Sequence, residues 1–174
     1  MLQRLWDLLP FLECNHAIIS LRHHITGSLK VNNQKFQIIG DGYIEKDWGR
    51  SFPQDYLWLQ SNSCKEEEAS LFLSIAKIPL LACSFQGLIM NLLVDDQQIR
   101  VATYYGARVK DMFTREGYHY LIISQHPHTF YLKIKAGHRF ELKSPQSGKM
   151  NGYVEESLNA LAVLLVYKKN KKVD

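Results

Sequence analysis

Residues 27–48, GSLKVNNQKFQIIGDGYIEKDW, carry the pattern that decides the fold: two runs rich in Val, Ile, Tyr and Phe on either side of the short polar segment VNNQ. Asparagine tolerates the left-handed backbone that a tight hairpin turn demands, so GSLKVNN and KFQIIGDGYIEKDW read as neighbouring antiparallel strands. The same grammar recurs along the chain. HAIISLRHH, YLWLQSN, ASLFLSIAKI, FQGLIMNLLV, QQIRVATYYG, YHYLIISQ, TFYLKIKAG and ALAVLLVYKK are further strand candidates, and VDDQ supplies a second tight turn. Helix is expected only as short pieces, in LQRLWDLLPFL before Pro10 and in NGYVEESLN near the end.

So many strands in 174 residues would leave long exposed edges in one open sheet. The economical arrangement is all-β, an antiparallel meander closed into a β-barrel or a tight two-layer roll, as one domain over residues 1–174. A barrel of this size can hold a small apolar ligand.

Composition narrows the function. The net charge is +4, but residues 1–100 carry 9 Lys or Arg against 11 Asp or Glu, whereas 101–174 carry 12 against 6. The excess gathers in YKKNKKVD, which reads as a solvated basic tail, and no RNP pattern, zinc finger or basic helix points to nucleic acid. Three widely spaced cysteines, Cys14, Cys64 and Cys83, form no disulfide framework, and MLQRLWDLLPFLEC lacks the apolar run and cleavage site of a signal peptide. IPLLACSFQGLIMNLLV is too interrupted by polar residues to span a membrane. A soluble, cytoplasmic protein of a reducing compartment is expected.

The segment GYIEKDWGRSFPQDYLWLQSN, residues 42–62, concentrates chemistry that a plain hairpin does not need. Side chains two apart in a strand share a face. Tyr43, Glu45 and Asp47 therefore look one way and Ile44, Lys46 and Trp48 the other, while Tyr56, Trp58, Gln60 and Asn62 line one face of the next strand. Aromatic and hydrogen-bonding groups in one row suit the wall of an amphipathic pocket, or else an exterior face with a few aromatics. Lys46 with Asp47, or Arg50 with Asp55, could simply staple the connection.

Other constellations are weaker. His23 and His24 face opposite ways, and His126 and His128 lack a third ligand, so no metal site is expected. Cys14 and His16 share a face beside Glu13, which would suit a Cys-His nucleophile or, more simply, a structural cysteine. No phosphate-binding loop or Gly-x-Ser-x-Gly elbow is present, and no cofactor is expected.

Residues 42–62 resemble the signature of the tocopherol cyclase family, through Tyr43, Glu45, Lys46, Asp47, Trp48, Gly49, Phe52, Pro53, Trp58, Gln60 and Asn62. Weaker similarity surrounds it in PFLECNHAIISLRHHITGSLKVN, SIAKIPLLACSFQGLI and RVATYYGARV. The resemblance implies a lipocalin-like β-barrel and, in plant and cyanobacterial members, closure of a prenylated hydroquinone to a chromanol. Family members usually carry a further β domain before the segment that this chain resembles. The chain thus resembles the C-terminal half, and a homodimer or a separate β-domain partner is an expectation that follows.

The chemistry implied is protonation of a trisubstituted alkene by a buried acid, for which Glu45 and Asp47 are the candidates. Trp48, Tyr56 and Trp58 would shelter the cation, Gln60 and Asn62 would hold the quinol hydroxyls, and Tyr43 would join them in binding the substrate. The second reading is a non-catalytic lipocalin-like domain that binds an isoprenoid or another apolar small molecule.

Overall fold

The computed structural model describes residues 13–65, 68–80, 83–169 and 171–173. They form β1 (Cys14–Val31), β2 (Gln34–Gly49), β3 (Tyr56–Ser61), β4 (Ala69–Leu80), β5 (Cys83–Val94), β6 (Gln97–Ala102), β7 (Arg108–Arg115), β8 (Tyr118–Gln125), β9 (His128–Lys135), β10 (Phe140–Gln146), β11 (Lys149–Glu156), β12 (Leu161–Lys168) and β13 (Lys171–Lys172). All pairings are antiparallel.

The expected tight turns are made as read. Asn32 and Asn33 have φ of 46° and 68°, and Asp95 and Asp96 have 47° and 62°, the two positive values in succession that a two-residue hairpin requires. Glu116-Gly117 and Ser147-Gly148 adopt the same conformation and close β7–β8 and β10–β11. HAIISLRHH and GSLKVNN merge into one long strand, β1, bent where its register with β2 shifts between Ile18 and His23.

The strands fall into four ladders: β1–β2, β3–β4–β5–β6, β7–β8–β9–β12–β13 and β10–β11. Among the described residues these do not close into the expected barrel. A 3₁₀ turn at Thr103–Tyr105 ends in a left-handed Gly106, φ 86°. It leads the chain out of the four-stranded sheet, so that β7 pairs with β8 in the five-stranded one. The meander is also interrupted, because β12 returns to β9 past the β10–β11 hairpin. The helix expected in NGYVEESLN is a strand over residues 151–156 instead, since residues 152–156 pair one for one with β10 and a register shift lies between that run and the turn. The segment LQRLWDLLPFL lies outside the described residues except for its neighbours from Glu13 onward.

Two sheets meet face to face, and strand alternation decides what each contributes. From the four-stranded sheet come Leu73, Ile75, Leu88, Met90, Leu92 and Val101; from the other come Leu121, Ile123, Phe130, Leu132 and Ile134, with Leu164 and Val166 of β12 at the margin. Burying each such side chain stabilises the fold by about 1.5–3 kcal/mol.

The opposite face of β4 is also covered. Ser70 and Phe72 are fully buried there although they point away from Leu73. Their cover is the lower half of the β1–β2 ribbon, whose His16 stacks on Phe72 with ring centroids 4.7 Å apart. The upper half, residues 24–37, is exposed.

Replacing Phe130 by Ala is expected to cost about 3–5 kcal/mol in urea denaturation, whereas Phe36→Ala, 48% exposed on the ribbon, should cost less than about 1 kcal/mol. Equal losses at the two positions would contradict the two-sheet core.

Candidate functional site

The site grows from the register of the first two strands. His16 lies opposite Asp47 and Ile18 opposite Glu45, and paired residues share a face, so the polar row Tyr43, Glu45, Asp47 gains an imidazole from the neighbouring strand. That face is turned toward the four-stranded sheet. There Trp58 pairs with Ser74 and Gln60 with Phe72, which puts the second predicted row under the first.

Two glycines allow the close approach. A Cβ on Gly42 would stand 2.4 Å from Ile25 Cδ1 and 2.5 Å from His23 Nε2. One on Gly49 would stand 2.1 Å from the Glu13 carbonyl oxygen, which accepts from the amides of Arg50 and Ser51 at 2.7 and 3.2 Å.

Glu45 is the hub. Its carboxylate accepts the Tyr43 hydroxyl proton, accepts from Trp58 Nε1–H at 3.2 Å to both oxygens, and lies 3.0 Å from His16 Nδ1. Asp47 Oδ1 lies 2.6 Å from the same nitrogen. Glu45 is 11% exposed and Asp47 35%.

Burial alone would lower the imidazole's pKa, but hydrogen bonds and charge from Asp47 and Glu45 outweigh it and raise it from 6.5 to about 9. His16 is therefore an imidazolium at neutral pH. For Glu45, burial pushes upward, yet the hydrogen bonds from His16 and Tyr43 and the His16 charge prevail, and its carboxyl is held below the ordinary carboxylate range. Tyr43 is raised, first by burial and then by its bond to Glu45.

Of the predicted residues, Tyr43, Glu45, Asp47 and Trp58 are brought into one cluster. Gln60 and Asn62 act beside it as a tether: Gln60 Nε2 donates to Asn62 Oδ1 at 3.0 Å, and Asn62 Nδ2 donates to the Gly42 carbonyl at 3.1 Å, tying β3 to β2. Tyr56 packs edge-on against Phe52, centroids 6.1 Å apart. Trp48 lies outside the cluster. The Lys46 ammonium sits 5.3 Å from its ring centroid, and with Asp47, Cys14, Phe52 and Pro145 it borders a small cleft of about 130 Å³.

Cys14 is no nucleophile in this arrangement. Burial, followed by the charges of Asp47 and Glu45, pushes its thiol up to about 11, so the thiolate is scarce at neutral pH. His23 Nδ1 is spent on Ser20 Oγ at 2.9 Å.

Sequence reasoning did not bring His16 or Phe72 to the site. His16 was visible only as the partner of Cys14, because the register with β2 is a long-range property. The signal for Phe72 was present: in ASLFLSIAKI it is the one large residue in the row Ser70, Phe72, Ser74, Ala76.

His16, Glu45 and Asp47 each offer one donor atom, all within 4.8 Å of one another, the one such trio among the described residues. As it stands the trio is held by the contacts of His16 Nδ1 with both carboxylates. Its His16 Nε2 is buried without a hydrogen-bond partner, whereas a metal-ligating imidazole normally anchors its second nitrogen. Chemically the array is an acid–base centre, with one cation between two carboxylates.

Alongside runs a cleft of about 360 Å³ between β1 and the β5–β6 edge. Ile18, opposite Glu45, and Asn91, opposite Phe72, line its near end. Leu21, Ile89 and Leu93 add apolar surface, and Gln98 and Arg100 add polar groups. The groove is concave and amphipathic, and the predicted wall residues Tyr43, Glu45, Asp47, Tyr56, Trp58, Gln60 and Asn62 lie outside its lining. No protein-family model, curated protein or solved structure matches the chain.

The pH dependence follows from the two shifts. The His16 contribution to stability is complete below about pH 6.5 and is lost as pH rises toward 9. The Glu45 contribution is present above about pH 4.5 and is lost as pH falls through its lowered folded value. The His16 ring resonance is expected to titrate near pH 9 by NMR, and His16→Gln should abolish the alkaline loss of stability. A midpoint near 6.5 would show an imidazole free of both carboxylates.

Proposed function

We propose that the chain is a tocopherol cyclase-like protein, an intramolecular lyase that closes a prenylated hydroquinone to a chromanol on a lipocalin-like β scaffold. The observation that carries the reading is the convergence of His16, Glu45 and Asp47 within 4.8 Å, beside the rings of Phe72, Tyr43 and Trp58; Ile18, opposite Glu45, lines an amphipathic cleft nearby.

In this reading the acid is the His16–Asp47 pair, since Glu45 is held ionised by its neighbours. A proton leaves the pair as the C–H bond forms at the less substituted alkene carbon. The tertiary cation left behind faces the rings of Trp58, Tyr43 and Phe72, each worth roughly 0.5–2 kcal/mol if aligned. The phenol oxygen bonds to that cation and its proton passes to the Glu45 carboxylate. Transfer from Glu45 through His16 restores the starting state, so the reaction is a net isomerisation. The cleft beyond Ile18 would take the remaining prenyl chain or the second hydroxyl of the quinol.

A binding domain without catalysis is the second reading, favoured by the apolar face of the upper ribbon. Ile25, Leu29, Val31 and Phe36 are 38–49% exposed, and by register they share one side with Ile38. Such a face fits a second β domain or a second copy of the chain.

Incubation with a prenylated hydroquinone, with product followed by mass and binding by tryptophan fluorescence, separates the two. Chromanol formation that falls at least about 100-fold in each of His16→Gln, Glu45→Gln and Asp47→Asn is the expected result. Activity that survives all three substitutions would sink the assignment, and binding without product would establish the second reading.

A further inference from the structure

The outward face of the five-stranded sheet differs from an ordinary solvated surface. Strand β12 is apolar on both sides: Leu164 and Val166 pack toward the core, yet Leu161, Val163 and Leu165 point outward and are 66%, 57% and 38% exposed. Leu158, in the turn before the strand, is 91% exposed. A strand with one solvated face normally alternates apolar and polar residues, and this one does not.

The register supplies the second half of the pattern. Leu161, Val163 and Leu165 pair with Lys135, Lys133 and Tyr131 of β9, so a ladder of aliphatic side chains lies directly beside a ladder of lysines and a tyrosine. The lysines are held over aromatic rings. Lys133 Nζ is 4.1 Å from the Tyr118 ring centroid and 5.7 Å from that of Tyr120, and Lys135 Nζ is 5.5 Å from Tyr118. Among the described residues neither lysine has a carboxylate within ion-pair distance. Lys168, Lys169, Lys171 and Lys172 continue the positive charge past the end of β12. The acids nearest along the sheet, Asp111 and Glu116, belong to the far strand β7 and its turn, and Glu116 is paired with Arg115 at 3.4 Å.

We infer that this face docks onto an anionic phospholipid bilayer, with Leu158, Leu161, Val163 and Leu165 at the boundary between headgroups and acyl chains, and Lys133, Lys135 and the terminal lysines on lipid phosphates. Charge decides among the occupants. A second copy laid face to face would set Lys133 and Lys135 against their own counterparts. A single-stranded nucleic acid needs free ring faces for its bases, but Tyr118 and Tyr120 are capped by Lys133, Phe113 stacks on Tyr120 at 5.0 Å, and the aliphatic ladder offers a base or a phosphate nothing. A negatively charged bilayer uses both ladders at once, taking apolar side chains at shallow depth and attracting each lysine. No described helix is long and apolar enough to cross a membrane, and the contact proposed is peripheral. The inference is independent of the cyclase reading, because vesicle binding needs no prenylated quinol.

The test is co-sedimentation of the full chain with vesicles of phosphatidylcholine alone and with about a third phosphatidylserine. Binding to the anionic vesicles only, weakened by salt, is expected. Lys133→Gln and Lys135→Gln should each lower it about fivefold, and Leu161→Thr with Val163→Thr, which place β-branched residues suited to a strand at both positions, should lower it further while circular dichroism and thermal unfolding stay unchanged. Equal binding to both vesicles would overturn the inference. So would an effect confined to Lys171→Gln and Lys172→Gln with the sheet variants unaffected, or a stable dimer in light scattering that binds no vesicles. Binding of single-stranded DNA that is lost with the same lysines, without vesicle binding, would overturn it in favour of nucleic acid.

Discussion

Everything that positions the site depends on β4 being buried from both sides. Leu73 and Ile75 enter the core between the two sheets, and Phe72 and Ser70, one residue out of phase, are buried beneath the β1–β2 ribbon. A two-stranded ribbon is marginal in water when alone. Its lower half is held by the stacking of His16 on Phe72 and by the Asn62 tether to Gly42, and the same contacts bring the carboxylates of β2 over the aromatic row of β3. Packing and chemistry are here one arrangement. The imidazole that fastens the ribbon is also the cation between Glu45 and Asp47.

That double use has an electrostatic cost and a means of meeting it. Two carboxylates beside one imidazolium leave a net negative charge in a half-buried space, which desolvation penalises. The Tyr43 hydroxyl and the Trp58 indole N–H, both directed at Glu45, replace the water that carboxylate has lost. Removing the Tyr43 hydroxyl would take away one of the hydrogen bonds that hold the Glu45 carboxyl low. The Ser70 hydroxyl and His16 Nε2 are the buried side-chain atoms of the described residues that lack a partner, and both lie at this same interface between ribbon and sheet. The polar accounting of the described residues is thus unfinished at the seam between ribbon and sheet.

The strand content was legible because it is local. The VNNQ and VDDQ turns and the alternation of GYIEKDW and YLWLQSN are written in a few consecutive residues, and the structure returns them with the expected positive φ and the expected faces. Short hairpins with weaker alternation, such as β10–β11, were misread as helix or passed over, although Ser147-Gly148 was the same turn signal. Barrel closure was inferred from the difficulty of leaving edges. The chain meets that difficulty with two stacked sheets and a left-handed Gly106 that redirects it. The site was half legible: alternation placed Tyr43, Glu45 and Asp47 in one row and Tyr56 to Asn62 in another. What joins the rows is the pairing of His16 with Asp47 across the 30 residues between them, and no local pattern specifies a register at that separation.

The uneven charge along the sequence becomes a division in space. Residues 1–100 build the ribbon and the four-stranded sheet, where the acids Glu45, Asp47 and Asp41 are engaged with His16 and Arg22. Residues 101–174 build the other sheet; of their acids, Glu141, Glu155 and Glu156 fall on the β10–β11 hairpin and Asp111 and Glu116 on β7 and its turn, at the far edge of the sheet. Strands β9, β12 and β13 are left with lysines and no acid. Such a segregation does nothing for the core, which lies between the sheets and is indifferent to the charge outside it. It does give the molecule two unlike sides, a half-buried negative cluster between the ribbon and the four-stranded sheet and a basic, apolar outer face on the five-stranded sheet. The proposed acid–base chemistry and the proposed lipid contact together ask for this separation, since carboxylates on a face proposed to meet an anionic lipid would be repelled by it, and lysines beside Glu45 would compete with His16 for it.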